Sequence, residues 1–341
     1  MGWKKRALQL GLLIAGGTIA RRLIRAGRTI DLYGRTVLIT GGSRGLGLRL
    51  AHELGQRGAD IAFCGRDEEA VQRAAEQLRS RGIRVLAGIC DISDRASAES
   101  FVDTVASAFG RIDVLVNNAG VIQVGPLDNA TPDHFEQAMG TNFFGAIYMT
   151  LRALPHLRRQ GNDGRIVNIT SLGGRIGMPH MAPYTASKFA LLGLSETLRA
   201  ELDAQSPSPR VVTVIPGLMR TGSMYNAEFI GHQSEEFAWF SVSSSAPGIS
   251  IDAEEAAMRI AQAICDGRAF LELSASQRIL DTLHRISPRA TVALMSLGAR
   301  LLPSPGGAGS HRNKGRDVES RLPGTWALRL GDQAAVTNNE A

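Results

Sequence analysis

Short apolar runs and amphipathic stretches alternate along most of this chain. TVLIT (36–40), DIAFC (60–64), RVLAGI (84–89), IDVLVN (112–117), RIVNIT (165–170) and RVVTVI (210–215) are nearly continuous in hydrophobicity, and AFLEL (269–273) makes a further run. Strands buried on both faces read this way, whereas a strand with one wet face alternates apolar with polar. Between the runs, residues 45–57, 67–81, 94–109, 142–160 and 184–204 carry helical periodicity. The alternation predicts an α/β fold with a parallel sheet of about seven strands. Right-handed crossovers make the sheet doubly wound, with helices on both faces.

This body spans residues 34–274 as a single domain, and extensions flank it. Residues 1–33 are basic and apolar. Residues 275–302 form a helical extension, with Ser287 placed to cap the stretch SPRATVALMSLGARLL and Pro288 in its first turn. Residues 303–341 open with PSPGGAGSHRNKG and are expected to be a polar, flexible tail. No internal repeat is visible.

Charge changes the picture only at the N-terminal end. The formal net charge is +6, but residues 1–35 alone carry +7 and the remainder −1. No basic stripe lies on the body, so nucleic acid is not an expected partner. The three cysteines (Cys64, Cys90, Cys265) form no C-x-x-C pair and the histidines no ligand spacing. Small buried hydrophobes in a reducing compartment fit the cysteines, and no metal is expected.

Directly after the first run comes TGGSRGLG (40–47), opening a helix. Glycines there permit a tight turn and let the backbone approach a pyrophosphate at the positive end of the helix, the mark of a Rossmann-type fold. The turn's candidate contacts are Gly41, Ser43, Arg44, Gly45, Leu46 and Gly47. At the end of the second run, Gly65 and Arg66 stand where an acid for the ribose hydroxyl is common. Arg66, with Arg44 nearby, suits a 2′-phosphate, so NADP(H) is expected in preference to NAD(H). Asp67 reads as the N-cap of the next helix.

A second observation concerns lysine. The chain has 34 arginines but only Lys4, Lys5, Lys188 and Lys314, so Lys188 stands alone in the body. It follows Tyr184 by four residues on a helix begun near Pro183, so the two side chains share a face. A free tyrosine, with a pKa near 10, is too weakly acidic for proton transfer at neutral pH. A nearby cation brings it closer to the working range. Lysine's compact ammonium also binds ribose hydroxyls in a way the rigid guanidinium fork does not.

Taken with the acid Asp91 in CDI, NNAG (117–120), Asn142 in TNFFG, Ser171, YTASK (184–188) and PGLMRT (216–221), the sequence resembles the short-chain dehydrogenase/reductase family in its compact form, over roughly residues 34–274. The resemblance implies an NAD(P)-dependent oxidoreductase acting on carbonyl and alcohol groups. It implies Tyr184 as general acid/base and Lys188 on the nicotinamide ribose. Ser171 would hydrogen-bond the substrate oxygen and Asn142 hold a water of the proton relay. Asp91 and Ile92 would lie beside the adenine, and Asn118, Ala119 and Gly120 would line the cofactor cleft. Pro216 and Gly217 precede Thr221, which would contact the nicotinamide amide. The alternative is a cofactor-binding regulatory protein without catalysis; the complete Asn142–Ser171–Tyr184–Lys188 set argues against it.

Residues 217–251, the variable substrate lid by resemblance, hold Met219, Met224, Tyr225, Phe229, Phe237, Trp239 and Phe240. They point either to a bulky apolar carbonyl or alcohol substrate or to packing of the lid on the body. His180, between Ser171 and Tyr184, reads as a polar loop residue, with contact to substrate as the alternative. A homo-oligomer is expected. The N-terminal segment has an uncharged core from Ala7 to Ala20, fourteen residues, against the ~20 needed to span a bilayer. Signal peptide and buried helix are alternatives; the reading adopted is a cytoplasmic protein whose N-terminus lies on the membrane's cytoplasmic face, its arginines meeting anionic headgroups.

Overall fold

The computed structural model describes residues 29–245, 250–318 and 326–340. The N-terminal segment read as membrane-associated lies outside the described residues up to position 28. Among the described residues no helix is long and apolar enough to cross a membrane.

Seven strands form the central sheet: β1 (Thr36–Thr40), β2 (Asp60–Gly65), β3 (Val85–Ile89), β4 (Val114–Asn117), β5 (Arg165–Ile169), β6 (Arg210–Ile215) and β7 (Phe270–Glu272). Every pairing is parallel, in the order β3-β2-β1-β4-β5-β6-β7. The strands match the expected runs to within two residues at an end; β2 runs one residue beyond its run, to Gly65. The helices that cover the sheet are α1 (Gly45–Gln56), α2 (Glu68–Arg79), α3 (Arg95–Phe109), α4 (Gly145–Arg159) and α5 (Ala182–Asp203), then, beyond the lid helix α6 (Gln233–Ser245), α7 (Ala253–Asp266).

The strands are largely apolar because successive side chains enter two different cores. Val37 and Ile39 join α1, α2 and α7 on one face. Leu38, between them, joins α3, α4 and α5 on the other. All three are fully buried, each worth about 1.5–3 kcal/mol relative to exposure. Local signals stop the helices where the sheet needs them to. Asp67 caps α2 by accepting from Ala70 N at 3.0 Å, and Gly110, at φ +73°, ends α3 in the left-handed region.

Two regions differ from a plain reading of the pattern. Gly140–Phe144 winds as a π-helical turn that runs into α4, so the expected single helix over 142–160 starts with a widened turn around Asn142. The C-terminal extension is a pair of helices, α8 (Ala275–Ile286) and α9 (Pro288–Ala299), with Ser287 Oγ accepting from Ala290 N at 3.3 Å. Where composition suggested a flexible tail, Asn313–Lys314 pairs with Glu228–Phe229, and a helix α10 covers Trp326–Thr337. Low apolar content hides this, because the tail is held mainly by hydrogen bonds from its asparagines and a buried Ala335.

Candidate active site

The C-terminal ends of the parallel strands open into one cleft of about 1180 Å³, the position where doubly wound sheets bind ligands. All the expected cofactor contacts line it, as do Ser171, Tyr184 and Lys188. Asn142 lies just behind the wall.

The glycine turn is shaped by close approach. Gly41 and Gly45 have φ of +64° and +55°, in the left-handed region. A β-carbon at Gly47 would lie 2.1 Å from the Gly41 carbonyl oxygen. Only glycine fits there, which brings the backbone at the start of α1 to the cleft wall, where a phosphate group could approach its amides. Asn118 braces the turn from the end of β4: its amide donates to the carbonyls of Thr40 (3.0 Å) and Gly41 (3.1 Å). Thr40, passed over in the sequence reading, takes the Asn118 and Ala119 amides on its hydroxyl at 3.0 Å each. Its only sequence signal was its place beside the glycines.

Gly65 also has a steric cause, since a β-carbon there would lie 2.7 Å from Ser43 Oγ. The ribose acid of other dinucleotide sites therefore has no room. Two arginines stand at this mouth instead: Arg44 pairs with Asp67 at 2.8 Å and Arg66 approaches Asp91 at 3.9 Å.

Deeper in the cleft, α5 carries Tyr184 and Lys188. Lys188 is 4% exposed and donates to the Ile169 carbonyl at 2.9 Å, with Nζ 5.8 Å from the centre of the Tyr184 ring. Burial depresses its pKa to about 8, so the amine is still mostly charged at neutral pH. Burial pushes the Tyr184 phenol up, and the Ser171 hydroxyl beside it works in the opposite direction. Desolvation thus outweighs the Ser171 hydrogen bond. Ser171 is fixed by the Gly173 amide, which donates to its Oγ at 3.0 Å.

Asn142 spends its amide on the protein itself. Its oxygen accepts from Val121 N at 2.8 Å, and its nitrogen donates to Val121 O at 3.1 Å and Ser187 Oγ at 2.8 Å. Ser187 in turn donates to the Tyr184 carbonyl at 2.7 Å. The π-helical turn thereby ties the NNAG strand end to the helix that bears Tyr184.

The lid residues divide. Met224, Phe229 and Phe237 are buried in a small core of their own, whereas Met219 and Trp239 reach the cleft; Phe240 does both. Packing thus accounts for much of the aromatic density. His180 does not line the cleft: at φ +61° it turns its ring onto the buried Glu236, 2.7 Å away, which also accepts from Trp239 Nε1 at 2.6 Å. Cys64 and Cys90 are free and buried at the cleft edge.

Comparison with known proteins gives this geometry a lineage. The chain is 33% identical over 264 residues to an 11-beta-hydroxysteroid dehydrogenase-like protein (4A) of Arabidopsis thaliana, covering 76% of this chain and 83% of the relative. A short chain dehydrogenase/reductase from Burkholderia phymatum, solved with NAD, superposes with a TM-score of 0.71 at 24% identity, covering 76% of this chain and 96% of that one; at this identity it bears on the fold alone. A metagenomic short-chain oxidoreductase, solved with NADP, gives a TM-score of 0.57 at 28% identity over 72% of this chain and 98% of that one. The model of the short chain dehydrogenase family matches residues 35–228, so the chain belongs to that family and is an NAD(P)-dependent oxidoreductase acting on CH–OH and C=O groups.

Proposed function

We propose that the protein moves a hydride between NADP(H) and a bulky, apolar ketone or secondary alcohol, with Tyr184 as general acid/base. The observation that carries this reading is the meeting of Ser171, Tyr184 and the buried Lys188 on the wall of one cleft, beside a glycine turn that admits no β-carbon at Gly47. The nicotinamide, when bound, supplies or accepts the hydride. The chain's own residues handle the proton and the charge. Tyr184 gives its phenolic proton to the substrate oxygen in reduction and takes it back in oxidation. Ser171 donates to the same oxygen as charge develops there. Lys188, mostly charged at neutral pH, favours the phenolate form of Tyr184 and binds a ribose hydroxyl. Asn142 acts at one remove, holding Ser187 and the Val121 backbone and so the register of α5 against the cleft.

Arg44 and Arg66 at the adenine end favour a 2′-phosphate over a free ribose hydroxyl. The cleft is also lined by Trp239 and Phe240 of the lid, by Leu280, Leu294 and Met295 of the C-terminal helices, and by Leu302 just beyond them. Such a lining suits a fused-ring or long-chain carbonyl, in keeping with the hydroxysteroid name of the Arabidopsis relative.

The test is cofactor oxidation in a panel of hydrophobic ketones, aldehydes and 3-oxoacyl thioesters, repeated with Tyr184→Phe. Turnover should fall by about 10³-fold or more while NADPH binding stays within a few-fold, because the hydroxyl moves a proton and holds no part of the cofactor. Near-normal rates in the variant overturn the assignment.

A further inference from the structure

The floor of the cofactor cleft is in contact with a segment from the far end of the chain. Helix α10 packs along the lid helix α6. Its buried Ala335 lies so close to Gly222 that a β-carbon there would come within 2.6 Å of the Ala335 Cα. The helix ends in a left-handed cap: Asn339 has φ +57°, Asn339 N donates to Val336 O at 3.3 Å, and Glu340 N to Ala335 O at 2.8 Å. That cap turns residues 338–340 down onto the glycine turn.

Between them, the three take donors and space beside the glycine turn. The Asn338 carbonyl accepts from Gly45 N, the first amide of α1, at 2.9 Å. The Asn338 side chain accepts from Arg49 at 2.5 Å. Asn339 donates to the Ser43 and Ala70 carbonyls at 2.8 and 3.1 Å and accepts from Arg73 at 3.0 Å. Glu340 is buried, with Oε1 3.1 Å from where a β-carbon on Gly45 would stand. Asn226 donates to that oxygen at 3.5 Å, while Oε2 is buried without a hydrogen-bond partner. Arg44 and Arg316 face the carboxyl. An acidic side chain with an orphaned oxygen, buried at the positive end of a helix, stands where an anionic ligand belongs.

We infer that the glycine turn is also the docking site of the chain's own 331–340 segment, an acidic peptide that occupies the cofactor's phosphate position and must withdraw for the cofactor to bind. The inference rests on reading the glycine turn as that phosphate site. Gly45 N cannot serve both Asn338 and a phosphate oxygen, and the Glu340 carboxyl fills the space in front of it. The last three residues are attached almost wholly by hydrogen bonds, so they can peel away without exposing a core. The cofactor's apparent affinity is then its intrinsic affinity reduced by the fraction of molecules with the segment withdrawn.

The experiment compares NADPH titrations of the full chain, a chain ending at Thr337, and Glu340→Ala in the full chain. If the segment is docked in about nine molecules of ten, the shortened chain should bind roughly tenfold more tightly, with Glu340→Ala intermediate. In the full chain, NADPH should raise hydrogen exchange of the 331–340 amides. Equal or weaker binding by the shortened chain and by Glu340→Ala, at unchanged melting temperature, overturns the inference alone; so does a fall in exchange across 331–340. Should the shortened chain misfold, the Glu340→Ala comparison and the exchange measurement decide by themselves. If no form binds NADPH or NADH, the reading of the site fails and the inference falls with it.

Discussion

Replacing Lys188 with methionine should stabilise the cofactor-free fold while destroying activity. The lysine sits fully buried with a pKa of about 8, against 10.5 for a free side chain. A lysine whose folded pKa lies below its unfolded value costs stability at every pH where the unfolded chain is protonated and the folded one resists it. The gap amounts to about 3 kcal/mol at 1.36 kcal/mol per pKa unit, paid in full below about pH 8 and fading as pH rises towards 10.5. Methionine of similar length removes this cost but leaves the Ile169 carbonyl, which accepts from Nζ at 2.9 Å, without its donor, a loss of about 1–3 kcal/mol. The net expectation near neutral pH is a gain of about 1 kcal/mol, or some 2–4 °C in Tm for a domain of this size. Thermal melts of both proteins without cofactor, at neutral pH and at about pH 10, provide the assay. The advantage of Lys188→Met should shrink and then reverse as the wild-type amine discharges while keeping its hydrogen bond. A variant that melts below the wild type at neutral pH, or a difference that ignores pH, would refute the reasoning that burial sets the state of this amine.

Two further outcomes are expected. Arg66→Asp should erase or reverse a preference for NADPH over NADH, since a carboxylate repels a 2′-phosphate and accepts from a ribose hydroxyl; a wild type indifferent to the two cofactors counts against the role of Arg66. Burial holds Glu340 up at about 8, against 4.5 when free, with Arg44 and Arg316 opposing, so docking of the 331–340 segment takes up a proton and weakens as pH rises through that interval. NADPH affinity of the full chain should therefore improve between about pH 6 and about pH 8 relative to the chain ending at Thr337, and parallel pH profiles would exclude the linkage.

Much of the architecture was legible in the sequence because it is written in constraints that act on neighbours. A parallel strand such as β1 must face two cores, so Val37, Leu38 and Ile39 are apolar in succession. Gly47 and Gly65 have no room for a β-carbon, so their identity survives in the sequence as a motif. Lys188 is conspicuous because arginine does the ordinary cationic work everywhere else in the body. What stayed hidden depends on where a side chain goes once the chain is folded. Phe229 and Trp239 are both lid aromatics, yet one packs the lid and the other reaches the cleft; composition does not separate them.

The tail shows the same limit in its strongest form. Asn-Asn-Glu after a weakly apolar helix carries no local signature of docking, because its partners, Ser43, Gly45 and Arg49, lie almost three hundred residues earlier. A phosphate site built from backbone amides is not selective for phosphate: any acceptor delivered to it with the right geometry competes, and one tethered to the same chain does so at a high effective concentration. The openness that makes the glycine turn recognisable in the sequence is therefore what makes it available to the protein's own acidic residues.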